Sequence, residues 1–306
     1  MPKPKKPKRK HAHLSPWARV DRESAARAAR IHLGAAYELL EVDVNFGLHV
    51  LQQAETIRLD ERASLTAFAA LLLFHRGIEL LDAISALAKA GCAEPATVLL
   101  RAYLEAILYS RYLMTVNDER VAAALLVSEI LVDIDRSTAD AAAHAPGSRP
   151  TILARERREL LLRQVAETRI WNEARRELER LNKESSVPVP WYQAFGGPRT
   201  LGALSGRVND PLIEEVFEEH YDLWSEAAHS GNLFDSINPE LTDATCVGEL
   251  FRPLRRRSRD EAVFVVFACH ALFHLTVHHH MEYFRSAPDG LREWLAVADK
   301  LRESLA

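Results

Sequence analysis

Pro95–Ser110, PATVLLRAYLEAILYS, carries two charged side chains, Arg101 and Glu105, in a run that is otherwise mostly apolar. At 100° per residue the two lie one helical turn apart, on the side of Val98, Leu108 and Tyr112. Leu99, Leu100, Tyr103, Ala106 and Ile107 cover the other sides, so the helix is expected to be buried all round. An ionised side chain there costs roughly several kcal/mol unless a partner and further hydrogen bonds compensate it. Two readings follow. The pair is a self-contained i,i+4 ion pair that also binds a neighbouring helix, or it lines a functional cavity.

Outward from this segment the chain reads as all-α, because Gly and Pro are sparse and no run alternates with period two. The expected helices span about Arg22–Arg58, broken near Asn45–Gly47, then about Glu61–Ala90 with Gly91 as its stop. Pro95 then opens the helix of the charged pair, which runs to about Met114. A fourth helix follows Asn117 and fades into Ala141–Pro150. Ala154–Glu184, dense in Arg and Glu, is expected as one long peripheral helix using Leu160, Leu161, Val165, Trp171 and Leu178. Ser185–Asp210 is rich in Pro and Gly and reads as a loop with one turn at Thr200–Leu204. Its GGPRTLGALSG segment lacks the lysine and Ser/Thr that complete a nucleotide-binding phosphate loop. Asp210 and Pro211 cap a helix through about His229, and Asp260–Arg285 and Pro288–Ala306 close the chain. The expected architecture is a single large helical bundle: a disordered basic arm over residues 1–20, then one helical domain over 21–306.

With 306 residues, 48% of them hydrophobic, the chain has enough apolar side chains for a real core. A net charge of −4 supplies no global basic field, so nucleic-acid binding would have to come from local patches. Two exist. MPKPKKPKRK at residues 1–10 places six Lys/Arg with three Pro, and RPLRRRSR at Arg252–Arg259 places five arginines in eight residues. Lys3–Lys10 and Arg252–Arg259 are thus the candidate contacts to RNA or another nucleic acid, against the plainer reading of solvated tail and linker. The N-terminal run lacks the apolar core of a secretory signal, and apolar runs such as Ala67–Phe74 and Val263–Cys269 are too short to cross a bilayer. Cys92, Cys246 and Cys269 are odd in number and widely spaced, which fits a reducing cytoplasm and neither a disulfide framework nor a cysteine zinc site. Homo-oligomerisation stays open.

The helix DEAVFVVFACHALFHLTVHHHMEYFR carries five histidines. On the wheel His270 and His274 share the stripe of Val263, Val266, Phe267, Phe273, Val277, Met281 and Phe284 and are expected to face the core; His278 and His280 flank it and His279 points away. His270 and His274 stand four residues apart and can share a zinc or iron ion, but a third ligand is missing from this helix, so no metal and no cofactor is expected. Hydrogen-bonded core histidines are the plainer reading, and acid/base chemistry a third. His75, Glu79 and Asp82 form a row on the second helix, either ligands or its wet face. Glu226-x-x-His229 has the spacing of carboxylate-bridged di-iron bundles but lacks the second copy such a centre requires.

Three stretches together carry a resemblance: GCAEPATVLLRAYLEAILYSRYLM at Gly91–Met114, TLGAL at Thr200–Leu204 and HYDLWSEAAHSG at His220–Gly231. They resemble the bacterial domain-of-unknown-function family numbered fifty-six seventy-seven, over about Ala70 to Leu233. The resemblance implies a helical core, an Arg-x-x-x-Glu on its central apolar helix and a Tyr-x-x-x-Ser-x-x-x-His on a later one, here Arg101, Glu105, Tyr221, Ser225 and His229. It implies no reaction. A weaker likeness leads to the helical nucleotide-binding and RNase-toxin proteins of bacterial defence, whose signature is Arg, four to six residues, then His. Arg27 and His32 have that spacing, but they sit on the first helix, away from the other motifs.

A nucleic-acid-directed, ribonuclease-like role in defence or toxicity is therefore the leading expectation. In it His229 is the general acid/base, Arg101 stabilises charge on the phosphate, Glu105 orients one of them and Ser225 bonds substrate or base. Tyr221, His270 and His274 would bind substrate. The rival expectations are a non-enzymatic helical sensor or interaction module, in which the same residues form a structural network, and a His/carboxylate metal protein. The functional reading requires one geometric fact, that these side chains meet; if they do not, the Arg101–Glu105 pair is structural.

Overall fold

The computed structural model describes residues 22–55, 64–228 and 259–304, which are helical with no strand among them. Four helices make the centre: α1 (Arg22–Glu55), α2 (Leu65–Lys89), α3 (Ala93–Val116) and, much later in the chain, α9 (Arg259–Phe284). α2 packs on both α1 and α3, and α9 crosses α1 and α3. α4 (Glu119–Ala143) carries α5 (Arg149–Glu167) and α6 (Arg169–Glu184) on the outside. The short α7 (Leu201–Ser205) leads into α8 (Pro211–Ala228), which lies against α3, and α10 (Leu291–Glu303) closes over α1.

Local chemistry sets the boundaries. Ser64 caps α2 by accepting a bond from the Ala67 amide at 3.0 Å, while the Leu65 amide donates to Glu119 at 2.8 Å and so ties the start of α2 to the start of α4. α3 stops at Asn117, which adopts a left-handed conformation (φ 47°), and Asp118 caps α4 through the Arg120 amide at 2.8 Å. α1 is not broken at Asn45–Gly47: its kink lies at Leu33, beside Gly34. Gly47 serves packing instead. A Cβ there would stand 2.8 Å from Ile78 and 3.2 Å from Phe273, so its absence is what lets α1 close on α2 and α9.

The long charged helix is two helices. Thr168, with extended backbone (φ −104°, ψ 124°), separates α5 from α6. Val165, Ala174 and Leu178 turn inward, whereas Leu160, read as a contact residue, is exposed. Much of the Arg/Glu density pairs with itself along the outer faces, as in Arg169–Glu173, Arg175–Glu179 and Arg180 with Glu177 and Glu184.

A 3-10 turn at Trp191–Gly196 wedges between α4 and α6 and buries Trp191, Tyr192 and Ala194. Trp191 meets Tyr109 edge-on, ring centroids 5.4 Å apart, and Tyr192 lies 5.9 Å from Tyr109, so the turn braces α3 beside its charged pair. Gly197 admits no side chain, since a Cβ would overlap the Tyr192 carbonyl. Within α9, Ala262–Phe284 is long and apolar enough by composition to cross a membrane, but it is the central helix of this bundle and most of it is buried there.

A polar site between α3 and α8

α3 and α8 run antiparallel in a fixed register. Arg101 on α3 donates from its guanidinium to the Ser225 hydroxyl at 3.1 Å, and one turn on, Glu105 accepts from the Tyr221 hydroxyl at 2.8 Å. Four-residue steps on both helices, in opposite directions, bring the two pairs opposite each other. Within α3, Arg101 Nε donates to the same Glu105 oxygen at 2.9 Å. The guanidinium also sits over the Tyr221 ring, 5.2 Å from its centroid, and Phe217 stacks with that ring at 4.5 Å. Four of the expected site residues therefore form one network across two helices that are 124 residues apart at the Arg101–Ser225 bond.

This face of α3 is not buried all round. The side chains of Arg101 and Glu105 are 26% and 24% exposed, and Val98 is exposed beside them. The pair thus avoids much of the desolvation that a deep interior imposes. Burial alone would lower the Arg101 pKa, but the bond and charge of Glu105 and contact with Tyr221 outweigh it and raise the value. Tyr221 is pushed up to about 12, first by burial and then by its bond to Glu105, so at neutral pH it is a phenol that donates. Tyr109, one turn beyond Glu105, is also raised, by burial and then by the negative charge of Glu105. Tyr109 and Tyr192 flank the network without having been singled out in the sequence. The i, i+4, i+8 series Arg101, Glu105, Tyr109 was the available signal for the first, and Tyr192 arrives only through the fold.

The histidines of α9 go elsewhere. His270 is buried and bonds through Nδ1 to Asp43 of α1 at 2.9 Å, while the other Asp43 oxygen accepts the Trp294 indole N–H of α10 at 3.0 Å. Neither His270 nor His274 joins Arg101. His274 is exposed rather than in the core, its ring stacked on Trp294 at 5.7 Å. His279, expected to point away, is 2% exposed and bonds Asp210 at 2.6 Å. His280 is buried as well, beside Phe74. The wheel places His270 in the core as expected but misplaces His274 and His279, because α9 packs against neighbours on several sides and one apolar stripe does not define its buried surface.

Asp210 connects α9 to the site. One of its oxygens caps α8 by accepting from the amides of Leu212 and Ile213 at 3.1 and 3.2 Å, and the other holds His279. Burial opposes its ionisation, but the His279 bond and the two amides hold its carboxyl below the usual carboxylate range. The helix that presents Tyr221 and Ser225 is therefore pinned at its start to the centre of the bundle.

On α2, His75, Glu79 and Asp82 are all exposed, with His75 and Arg76 against Glu79, which is the wet-face reading. Among the described residues no three His, Cys, Asp or Glu side chains gather as metal ligands. His229, the basic arm at Lys3–Lys10 and Arg252–Ser258 lie outside the described residues, and Arg259 is described only as the start of the α9 backbone.

Fold and site together define an all-α protein with a two-helix Arg/Glu/Tyr/Ser cluster. Residues 67–242 match the family described as a family of unknown function, DUF5677, and the chain belongs to it. The matched span includes α3 and α8, and so the whole cluster. No curated protein and no solved structure matches the chain.

Proposed function

We propose that this protein acts on nucleic acid in the cytoplasm as a ribonuclease-like defence or toxin protein, with the α3–α8 cluster as its working face. The observation that carries the proposal is the meeting of Arg101, Glu105, Tyr221 and Ser225 on a partly exposed surface. A guanidinium already oriented by Glu105, Ser225 and the Tyr221 ring is ordered before an anion arrives, which is the condition for stabilising charge that develops on a phosphate. Ser225 offers a hydroxyl to substrate. His229 stands four residues after Ser225 in the sequence and supplies the general acid/base. The arginines of Arg252–Arg259 and the lysines of Lys3–Lys10 add phosphate contacts that would make binding fall with salt.

The test uses the full chain and labelled single-stranded RNA. Wild type should cleave it; His229→Ala and Arg101→Gln should not, with helical circular dichroism and melting midpoint unchanged. Wild-type protein that leaves RNA intact, or a His229→Ala variant as toxic to cells as wild type, sinks the ribonuclease reading.

One observation favours a second reading, a non-enzymatic sensor or interaction module. Arg101 has its counterion on its own helix, and Tyr221 bonds that same carboxylate, so the cluster also works as a device that sets the register of α8 on α3. Under this reading Arg101→Leu with Glu105→Leu leaves cellular function intact.

A further inference from the structure

A cavity of about 300 Å³ lies between the end of α1, α2 and the last turns of α9, away from the α3–α8 cluster. Its volume stands at the lower end of small-molecule sites. The helices give it apolar walls: Val50 from α1, Leu71 from α2, and Val277, Met281 and Phe284 from α9. Val50, Leu71, Met281 and Phe284 are only half-buried, so apolar surface there lacks a packing partner. Ser286 and Asp289 also line the cavity, but they come from the short loop after α9 and are exposed. The walls are thus apolar and the rim on the loop side is polar.

Charge gives that rim a chemical preference. The loop is tied to α1 through its backbone: the Asp289 amide donates to Gln53 Oε1 at 3.1 Å, and the Asp289 carbonyl lies 3.1 Å from His49 Nε2. The Asp289 carboxylate takes no part in this, and it makes no hydrogen bond or ion pair with a described residue. No Lys or Arg stands among the described lining residues. His280, which also lines the cavity, bonds the Thr276 carbonyl through Nδ1 at 2.9 Å, and burial keeps its ring neutral by pushing its pKa down to about 4. The carboxylate of Asp289 is therefore the formal charge of the described lining, and its exposure leaves it open to a ligand.

We propose that this cavity binds a small primary amine with an apolar body, which fills the space between Leu71, Val277, Met281 and Phe284 while its ammonium group donates to the Asp289 carboxylate and the Ser286 hydroxyl at the rim. Burial of the body supplies the affinity, and the lone negative charge selects a cation over a neutral or anionic molecule of the same shape. The site is independent of the α3–α8 cluster and stands whether or not the protein acts on RNA.

Phenethylamine, phenethyl alcohol and phenylacetate share one apolar body and differ in the charge of the polar end, so they test it by calorimetric titration and thermal melting of the full chain. Phenethylamine should bind saturably and raise the melting midpoint. Phenethyl alcohol should bind about threefold more weakly, the size of an exposed ion pair, and phenylacetate more weakly still. Added salt should lower the affinity for the amine and spare that for the alcohol. Asp289→Asn should bind amine and alcohol alike, and Met281→Trp, whose indole occupies the apolar space, should bind none of the three. The proposal is overturned if phenethylamine shows no saturable binding at millimolar concentration, or if wild type binds the alcohol or phenylacetate as tightly as the amine. It is equally overturned if Asp289→Asn keeps the preference for the amine, or if Met281→Trp binds the amine as wild type does. The three-probe comparison on wild type decides the matter even where a variant fails to fold.

Discussion

Two polar clusters sit on the same bundle and differ in almost every physical respect. Arg101, Glu105, Tyr221 and Ser225 occupy two helices, are partly exposed and carry formal charges that nearby water also solvates. Asp43, His270 and Trp294 come from three helices, and Asp43 is fully buried. Trp294 adds a parallel stack on Phe46 at 4.6 Å and an edge contact to Phe273 at 5.5 Å. Burial raises the Asp43 pKa although His270 and Trp294 pull it back, the mark of a group whose desolvation is only partly offset. The contrast teaches which cluster holds the fold together and which has room to do something else: interior polar groups are costly to disturb, whereas half-exposed ones can exchange partners with a ligand.

The sharpest way to break that contrast is Asp43→Ala. It strands His270 and the Trp294 N–H inside the bundle and should cost about 3–5 kcal/mol, read as a fall in the urea midpoint. A loss below about 1 kcal/mol would mean that the buried cluster is not what docks α10.

Next in size is a pH effect from the same interior. His280 has a folded-state pKa of about 4 against about 6.5 for an ordinary histidine, so between these values the unfolded chain binds more protons than the folded one. Stability should therefore be complete above about pH 6.5 and decline as pH falls toward about 4, by on the order of 3 kcal/mol. Other carboxylates and histidines titrate across the same range, so the quantity to measure is the difference between wild type and His280→Phe. Parallel stability curves for the two proteins would contradict a neutral, buried His280.

Asp210→Ala removes the cap of α8 and the partner of His279 together, and should cost about 2 kcal/mol. Hydrogen exchange should quicken first in the opening turns of α8. Protection unchanged there would separate α8 from the centre and weaken the link drawn between α9 and the α3–α8 cluster.

The smallest stability effect belongs to the charged pair itself. Arg101→Leu with Glu105→Leu should stay within about 1 kcal/mol of wild type by urea unfolding, because a partly exposed ion pair contributes little net stability and Leu suits the surrounding apolar helix. RNA cleavage, by contrast, should disappear. A large loss of stability with activity retained would exchange the roles of the two clusters.

The α3–α8 cluster was legible because regular helices convert four-residue spacing into a shared face, and both motifs have that spacing. Asp43 was not singled out, yet the same argument reaches it. It lies one turn from Leu39 and Leu40 on one side and from Phe46 on the other, all buried, and so is a lone acid on an apolar face just as Arg101 and Glu105 are lone charges on theirs. His279 could not be found this way. Its burial depends on the start of α8, 69 residues away, arriving to cover it with Asp210. The single helix expected across Thr168 fails for a local reason: Arg- and Glu-rich sequence favours helix on both sides of the break, and folding back onto α4 buries Val165, Ala174 and Leu178, which one straight rod would spread apart.

By itself the sequence determined that the chain is helical, where most helices begin and end, and which residues of α3 and α8 share a face with which others. Those properties follow from backbone preference, capping chemistry and the 3.6-residue period, all of them local. Only the tertiary structure decided which faces meet. It placed Ser225 and Tyr221 opposite Arg101 and Glu105, sent His270 to Asp43 and His279 to Asp210, and left the cavity beside His280. The reason is physical: burial and hydrogen-bond satisfaction depend on what arrives from distant parts of the chain, and no local period encodes that arrival.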